Sequence, residues 1–350
     1  MRHATLPACL LTLAALWAPL ALTSTASAQI EPGRLYNTVN RPIVMDVARP
    51  ENVQGALAIA ILEPVTGRAL ERKATQAGEV DLAVLFPQLW AAPVPETRYV
   101  QLYAGDQPVG PAVVLQPMID PAYVIDETLN NEILESARNG NVERIQRLLD
   151  PFSRVRRQIG KVSEFSFPTG DNRTFTGYRA YVDQNVVIET DRGEIEIILR
   201  PDVAPNTVFN FLHLVEGGFY NDILVDRVVP GPPPFGFQLG DPTGQKTGGP
   251  GYAIDLEYTL ALPHDFGVVS LARNPRDPDS GGSQIFICLS REACSFLDGK
   301  YASFGQVVRG VDTMLDIESV EVGGMNTDVP QQSIVVRNVR AVPAPPYPQK

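Results

Sequence analysis

The chain has 350 residues, 44% hydrophobic and 20% charged, so it can bury a sizeable core and is too apolar for a disordered polyelectrolyte. A formal net charge of −11 without any basic stripe excludes a nucleic-acid or anionic-membrane surface. Thirty-one Pro and 28 Gly without a G-x-y period exclude collagen and predict long ordered loops.

The first element is an address. Arg2 and His3 precede an apolar run from Leu6 to Leu22, and a polar stretch then ends in Ala26-Ser27-Ala28. That order predicts a signal peptide over 1–28, cleaved before Gln29, and an exported protein, periplasmic or extracellular. No later stretch offers about 18 uninterrupted apolar residues, so no transmembrane segment is expected after processing. The processed chain keeps two cysteines, Cys288 and Cys294, six positions apart. Spacing alone leaves a disulfide and a pair of buried thiols both open. It also keeps two histidines, His213 and His264, too few for a multi-His zinc site; both read as structural, and no metal is expected.

Residues 30–118 show short apolar or alternating runs, with strands expected at 42–48, 56–62, 80–86, 98–103 and 112–116. Val65-Thr66-Gly67 and Gly105-Asp106-Gln107 supply turns, and the spacing predicts a small β-sandwich with Trp90 in its core. Residues 124–150 switch to helical period: Leu129, Ile133 and Ala137, a break at Gly140-Asn141, then Val142, Ile145 and Leu149. One such unit cannot bury its own face, so it reads as a helical spacer. Residues 151–185 are polar and aperiodic, which predicts a linker, and 186–342 form the second domain.

That domain opens with two alternating strands around Asp191-Arg192-Gly193, a β-hairpin. A helix follows Ala204-Pro205, with Val208, Phe211, Leu212 and Val215 on one face and Gly217-Gly218 closing it. Further strands are expected at 225–229, 285–289 and 334–339, separated by Gly/Pro loops. The fold class is therefore mainly β: a closed antiparallel barrel capped by helices, beside an N-terminal β-sandwich-like domain. The Pro-rich tail 343–350 should be extended and disordered. Asn172-Arg173-Thr174 fits a glycosylation sequon, and Gly240 to Thr247 lacks the Gly-Lys-Ser/Thr of a phosphate loop.

A series of motifs in the second domain carries a resemblance. Asp226-Arg227-Val228-Val229-Pro230-Gly231, Gln238-Leu239-Gly240-Asp241, Gly248-Gly249-Pro250-Gly251-Tyr252, Gly282-Ser283-Gln284-Ile285-Phe286 and Leu297-Asp298-Gly299-Lys300-Tyr301 follow one another in order. In that order they resemble the cyclophilin-type peptidyl-prolyl isomerases. The resemblance covers 186–342 and implies an isomerase acting on proline-containing polypeptides, without a cofactor. It implies Arg227 as the catalytic cation, Phe286 and Leu297 as the floor for the proline ring, and Phe235 beside them. Gln238 would hold a substrate carbonyl, Ala272, Arg273 and Gln284 would align the flanking peptide, and Phe296 and Tyr301 would form the rim.

This sequence also departs from the family's pattern. Asp226 stands where His is common, Gly236 replaces a larger apolar residue, and Phe296 takes a position often held by Trp. Pro232 to Pro234 are additional, and the loop 273–279 is longer than usual. The expected function is X-Pro isomerisation in exported proteins. The alternatives are a non-catalytic proline-peptide binder and an interaction protein working through its N-terminal domain.

Overall fold

The computed structural model describes residues 29–51, 53–91, 95–120, 134–149, 174–257, 259–275, 277–323 and 328–347. The expected signal peptide 1–28, most of the expected linker, the first half of the spacer and the Asn of the sequon lie outside these residues. No described helix is long and apolar enough to cross a membrane.

Among the described residues the N-terminal region has nine strands: β1 (Ile30–Pro32), β2 (Tyr36–Thr38), β3 (Val44–Val47), β4 (Leu57–Leu62), β5 (Ala69–Ala74), β6 (Gly78–Asp81), β7 (Arg98–Ala104), β8 (Gln107–Asp120) and β9 (Thr174–Val182). They form a three-stranded sheet, β1-β3-β6, and a six-stranded sheet, β2-β9-β8-β7-β4-β5. Both sheets contribute to one core: Ile30, Met45 and Val47 from the first meet Ile59, Val100, Leu102 and Leu115 from the second. Trp90 packs on this core, its ring 5.5 Å from that of Tyr178 and 6.0 Å from that of Phe175.

Three expectations for this half need correction. The strand at 80–86 ends at Asp81, whose carboxylate accepts the backbone N–H of Ala83 at 2.9 Å and starts a helical turn over Leu82–Leu85. The segment expected to be a linker contains β9, a full partner of β8 in the larger sheet. Its period of two explains why a strand belongs there. Tyr178 and Ala180 enter the N-terminal core, while Arg179 lies 3.9 Å above the Phe209 ring and Tyr181 packs toward the second domain. The chain then passes into the barrel through Asp183 alone. The third correction concerns the tail. Tyr347 is buried, stacks on Tyr99 with centroids 4.1 Å apart, and donates its backbone N–H to the buried Gln101 side chain at 2.8 Å. An aromatic ring and a buried amide in need of a partner outweigh the disorder that proline content suggests. Residues 348–350 lie outside the described set.

Of the spacer, residues 134–138 and Val142–Leu149 are helical, with Gly140 between them at φ 67°. Val142, expected on the apolar face, is exposed.

The second domain contains β10 (Gln184–Thr190), β11 (Gly193–Leu199), β12 (Ile223–Val229), β13 (Gly236–Leu239), β14 (Val268–Leu271), β15 (Ile285–Cys288), β16 (Ser303–Arg309) and β17 (Val335–Pro343). They close as a barrel in the order β10-β11-β16-β14-β15-β13-β12-β17, every pair antiparallel. Helix Pro205–Glu216 caps it through Val208, Phe211, Leu212 and Val215, and helix Val311–Glu318 through Met314 and Ile317. Ala204 cannot cap the first helix with its own side chain. Glu257 does so from fifty residues away, accepting the backbone N–H of Asn206 at 3.0 Å and of Thr207 at 2.7 Å.

Candidate active site

Strand register builds the site. Arg227 on β12 lies opposite Gln238 on β13, and Gln238 lies opposite Phe286 on β15. A cation, an amide and an aromatic ring therefore occupy one row across three strands, where directly opposed side chains are neighbours. The register slips between Val225 and Arg227, which face Leu239 and Gln238, so Asp226 is the extra residue of a β-bulge. Bulges re-aim side chains, and this one sends Arg227 to the groove while Asp226 turns inward.

A cavity of about 400 Å³ opens over this row. Nine of the ten residues singled out from the sequence line it: Arg227, Phe235, Gln238, Ala272, Arg273, Phe286, Phe296, Leu297 and Tyr301. Gln284 does not. It contacts the lining through Gln238, accepting the Gln238 amide N–H at 2.6 Å and donating to the Gly248 carbonyl at 2.8 Å. Its geometry fixes the rotamer of Gln238.

The floor is apolar and braced from below. Phe286 is 5% exposed, edge-on to Tyr301 at 5.7 Å and stacked near Phe235 at 6.1 Å. His264 lies parallel to Phe286 at 6.0 Å, its Nδ1 3.0 Å from the Asp298 carboxylate. Burial pushes the His264 pKa down more than Asp298 raises it, which keeps the ring neutral beneath the floor. Leu297 enters on a 3-10 turn, Ser295–Leu297, that follows helix Arg291–Cys294. Cys288 and Cys294 are both buried free thiols, and the Cys294 Sγ donates to the Phe235 carbonyl at 3.2 Å. Phe296, by contrast, is 60% exposed at the rim. Gly236 sits at φ 156°, and a Cβ there would lie 2.1 Å from the Ile287 carbonyl oxygen. The close approach of β13 to β15 therefore excludes the larger residue common at this position.

Two groups escaped the sequence reading. The Asp328 carboxylate binds Arg227 Nε through one oxygen and Lys246 Nζ through the other. Burial alone would raise the Asp328 pKa, but the hydrogen bonds from Lys246 and Arg227 outweigh it and hold it below the usual range. Asp328 anchors the Nε end of Arg227, so the Nη groups remain for the cavity. Lys246 belongs to the Gly-rich loop 240–247, which lacks the Gly-Lys-Ser/Thr of a phosphate loop, and nothing in local sequence links Asp328 to residue 227.

Asp226 is 3% exposed, and neither carboxylate oxygen has a hydrogen-bond partner among the described residues. Burial, reinforced by the Asp241 charge, pushes its pKa up to about 7. The folded pKa lies above the unfolded value of 3.8, so folding favours the protonated form. Its contribution to stability is complete below pH 3.8 and is lost as pH rises toward 7. Asp226→Asn, isosteric with the protonated acid, should therefore leave stability unchanged in acid and raise it by about 2 kcal/mol at alkaline pH. Each pKa unit is worth about 1.4 kcal/mol, discounted because the protein relaxes around a buried charge. Denaturant titrations at both pH extremes measure this, and an equal effect at both would contradict it.

Residues 185–341 match the family described as cyclophilin type peptidyl-prolyl cis-trans isomerase/CLD. A peptidyl-prolyl cis-trans isomerase of Synechococcus elongatus is 43% identical over 120 residues, which cover 34% of this chain and 77% of the relative. Peptidyl-prolyl cis-trans isomerase 10 of Caenorhabditis elegans is 37% identical over 163 residues, 45% of this chain and 97% of the relative. A peptidyl-prolyl cis-trans isomerase of Arabidopsis thaliana is 36% identical over 159 residues; there the matched part is 45% of this chain and 24% of the longer relative.

Proposed function

The chain belongs to the cyclophilin-type peptidyl-prolyl cis-trans isomerase family, and on that premise we propose that its cavity binds an X-Pro segment and catalyses rotation about the X-Pro bond. The observation that carries this reading is the cross-strand row Arg227, Gln238 and Phe286 beneath one cavity.

Rotation about an amide must break resonance, a barrier of about 18–20 kcal/mol, and is uncatalysed on a scale of tens to hundreds of seconds. An acceleration of about 10⁵ needs roughly 7 kcal/mol of differential stabilisation. No bond is made to the enzyme. In the twisted transition state the prolyl nitrogen regains its lone pair, and a fixed donor aimed at that nitrogen binds the twisted form better than the planar one. Arg227 supplies the donor, pre-set by Asp328. The Gln238 amide, oriented by Gln284, holds a substrate backbone carbonyl, and Phe286 with Leu297 receives the proline ring. This apolar contact is shared between ground and transition states, so it serves binding more than rate.

The clients we propose are exported proteins, in keeping with the leader-like residues 1–28. A protease-coupled assay of the full chain on a tetrapeptide with Pro at its third position tests the activity. Catalysed isomerisation is the expected result. Saturable peptide binding without acceleration would replace it with a binder that lost catalysis.

A further inference from the structure

The cavity is lined by two guanidiniums and, among the described residues, by no carboxylate, in a chain whose net charge is −11. The two cations are not equivalent. Arg227 is answered by Asp328. Arg273 forms no ion pair among the described residues.

Arg273 is nonetheless fixed in place. Its Nε and Nη2 both donate to the Lys300 carbonyl, at 2.9 and 2.7 Å, and its Nη1 donates to the Asn274 carbonyl at 3.0 Å. Its guanidinium lies 4.3 Å over the Tyr301 ring. A guanidinium has five N–H groups, and three are used here. The remaining two, one on each terminal nitrogen, are held rigidly at the rim of a groove. The acids of the same loop are turned away: Asp277 is 3% and Asp279 1% exposed, and the Asp279 carboxylate accepts the Leu256 backbone N–H at 2.9 Å.

We infer that Arg273 is a specificity residue, and that the groove prefers peptides carrying a carboxylate side chain on a residue flanking the proline. This inference rests on the isomerase reading of the same cavity and names its substrate class. The pre-set guanidinium loses little freedom when it pairs with a carboxylate, which favours the interaction over one made by a flexible lysine. The overall negative charge does not cancel this, because long-range repulsion is screened beyond about 8 Å at physiological salt.

Two peptide series test the preference on the full chain, with Glu, Gln or Ala either before or after the proline. Exchange NMR reads kcat/KM without a coupling protease. Glu should exceed Gln by about threefold in one of the two series, the size of a single partly exposed ion pair. Arg273→Gln should bring that ratio to about one, whatever it does to the overall rate, and Arg273→Lys should retain part of it. A strut that only supports Tyr301 and the loop would lower all peptides together and leave the ratio alone. Equal turnover of Glu and Gln in both series, or a ratio that survives Arg273→Gln, overturns the inference. Should no peptide be turned over, the isomerase reading fails separately, and the same Glu-to-Gln ratio read as Kd by chemical-shift titration still decides the preference.

Discussion

Replacing Arg227 by Ala should lower kcat/KM by about 10²–10³, equivalent to about 3–4 kcal/mol, the usual loss when one preorganised donor is removed. The fall should lie mainly in kcat, because the donor meets its full partner only when the prolyl nitrogen has become pyramidal. Stability should change little. Arg227 is 38% exposed, and its loss does not strand a charge, since Asp328 keeps Lys246. Arg227→Lys preserves the charge but cannot hold Asp328 through Nε while presenting planar donors to the cavity, so it should recover only part of the rate. Steady-state kinetics of the three proteins, alongside their denaturation midpoints, give the comparison. A full wild-type rate in Arg227→Ala would remove the mechanism while leaving the family assignment untouched.

The parts legible in the sequence were those written in local pattern. The β-hairpin around Asp191-Arg192-Gly193 is two alternating runs and a tight turn, and it forms β10 and β11. The helix after Pro205 carries its apolar spacing at i, i+3, i+4 and i+7, and those residues are its buried face. Of the nine cavity residues, Arg227, Gln238, Phe286, Leu297 and Tyr301 sit within ordered motifs, whereas Phe235, Ala272, Arg273 and Phe296 lie between motifs and were reachable only through the family resemblance. What escaped depends on pairing between distant segments. In β9, Gly177 and Arg179 interrupt the apolar alternation, so the run reads as polar linker. The structure uses both positions: Gly177 lets β9 approach the Asn37 carbonyl of β2, where a Cβ would sit at 2.0 Å, and Arg179 packs on Phe209 of the second domain. The Asp226 bulge has the same origin. Simple alternation puts residues 226 and 227 on opposite faces, but only the register against β13 reveals that one residue is extra. Asp328 lies about a hundred residues from Arg227, and its role exists only after the barrel closes.

The two regions are also more closely joined than the composition suggested. β9 passes into β10 through one residue, Thr97 donates its hydroxyl to the Pro201 carbonyl at 3.2 Å, and Tyr347 returns from beyond the end of β17 to β7 of the six-stranded sheet. A buried aromatic stack and a satisfied buried amide make this a packed junction between domains. Changes that destabilise the barrel should therefore be read on the full chain.

Phe286→Ala should damage folding and binding together, at about 3–5 kcal/mol of stability, because it deletes a buried ring that neighbours cannot replace. The ring touches three elements at once: His264 beneath it, Tyr301 edge-on, and Phe235 across the cavity. Their positions are fixed by other bonds, His264 by Asp298 and Phe235 by the Leu289 backbone N–H at 2.9 Å. The walls therefore cannot collapse into the space, which places the cost in the upper part of the range for such truncations. The consequences for substrate differ from those at Arg227. Losing the floor weakens ground and transition states alike, so KM should rise with kcat comparatively preserved in whatever fraction stays folded. Phe286→Leu separates the two effects. A leucine refills most of the volume and should restore all but about 1.5 kcal/mol of stability. It lacks the flat face that receives a proline ring, so the rise in KM should persist. Denaturant unfolding and steady-state kinetics of both variants read this directly. A Leu variant that regains normal KM along with stability would mean that the ring supports the barrel and is not the surface on which proline rests.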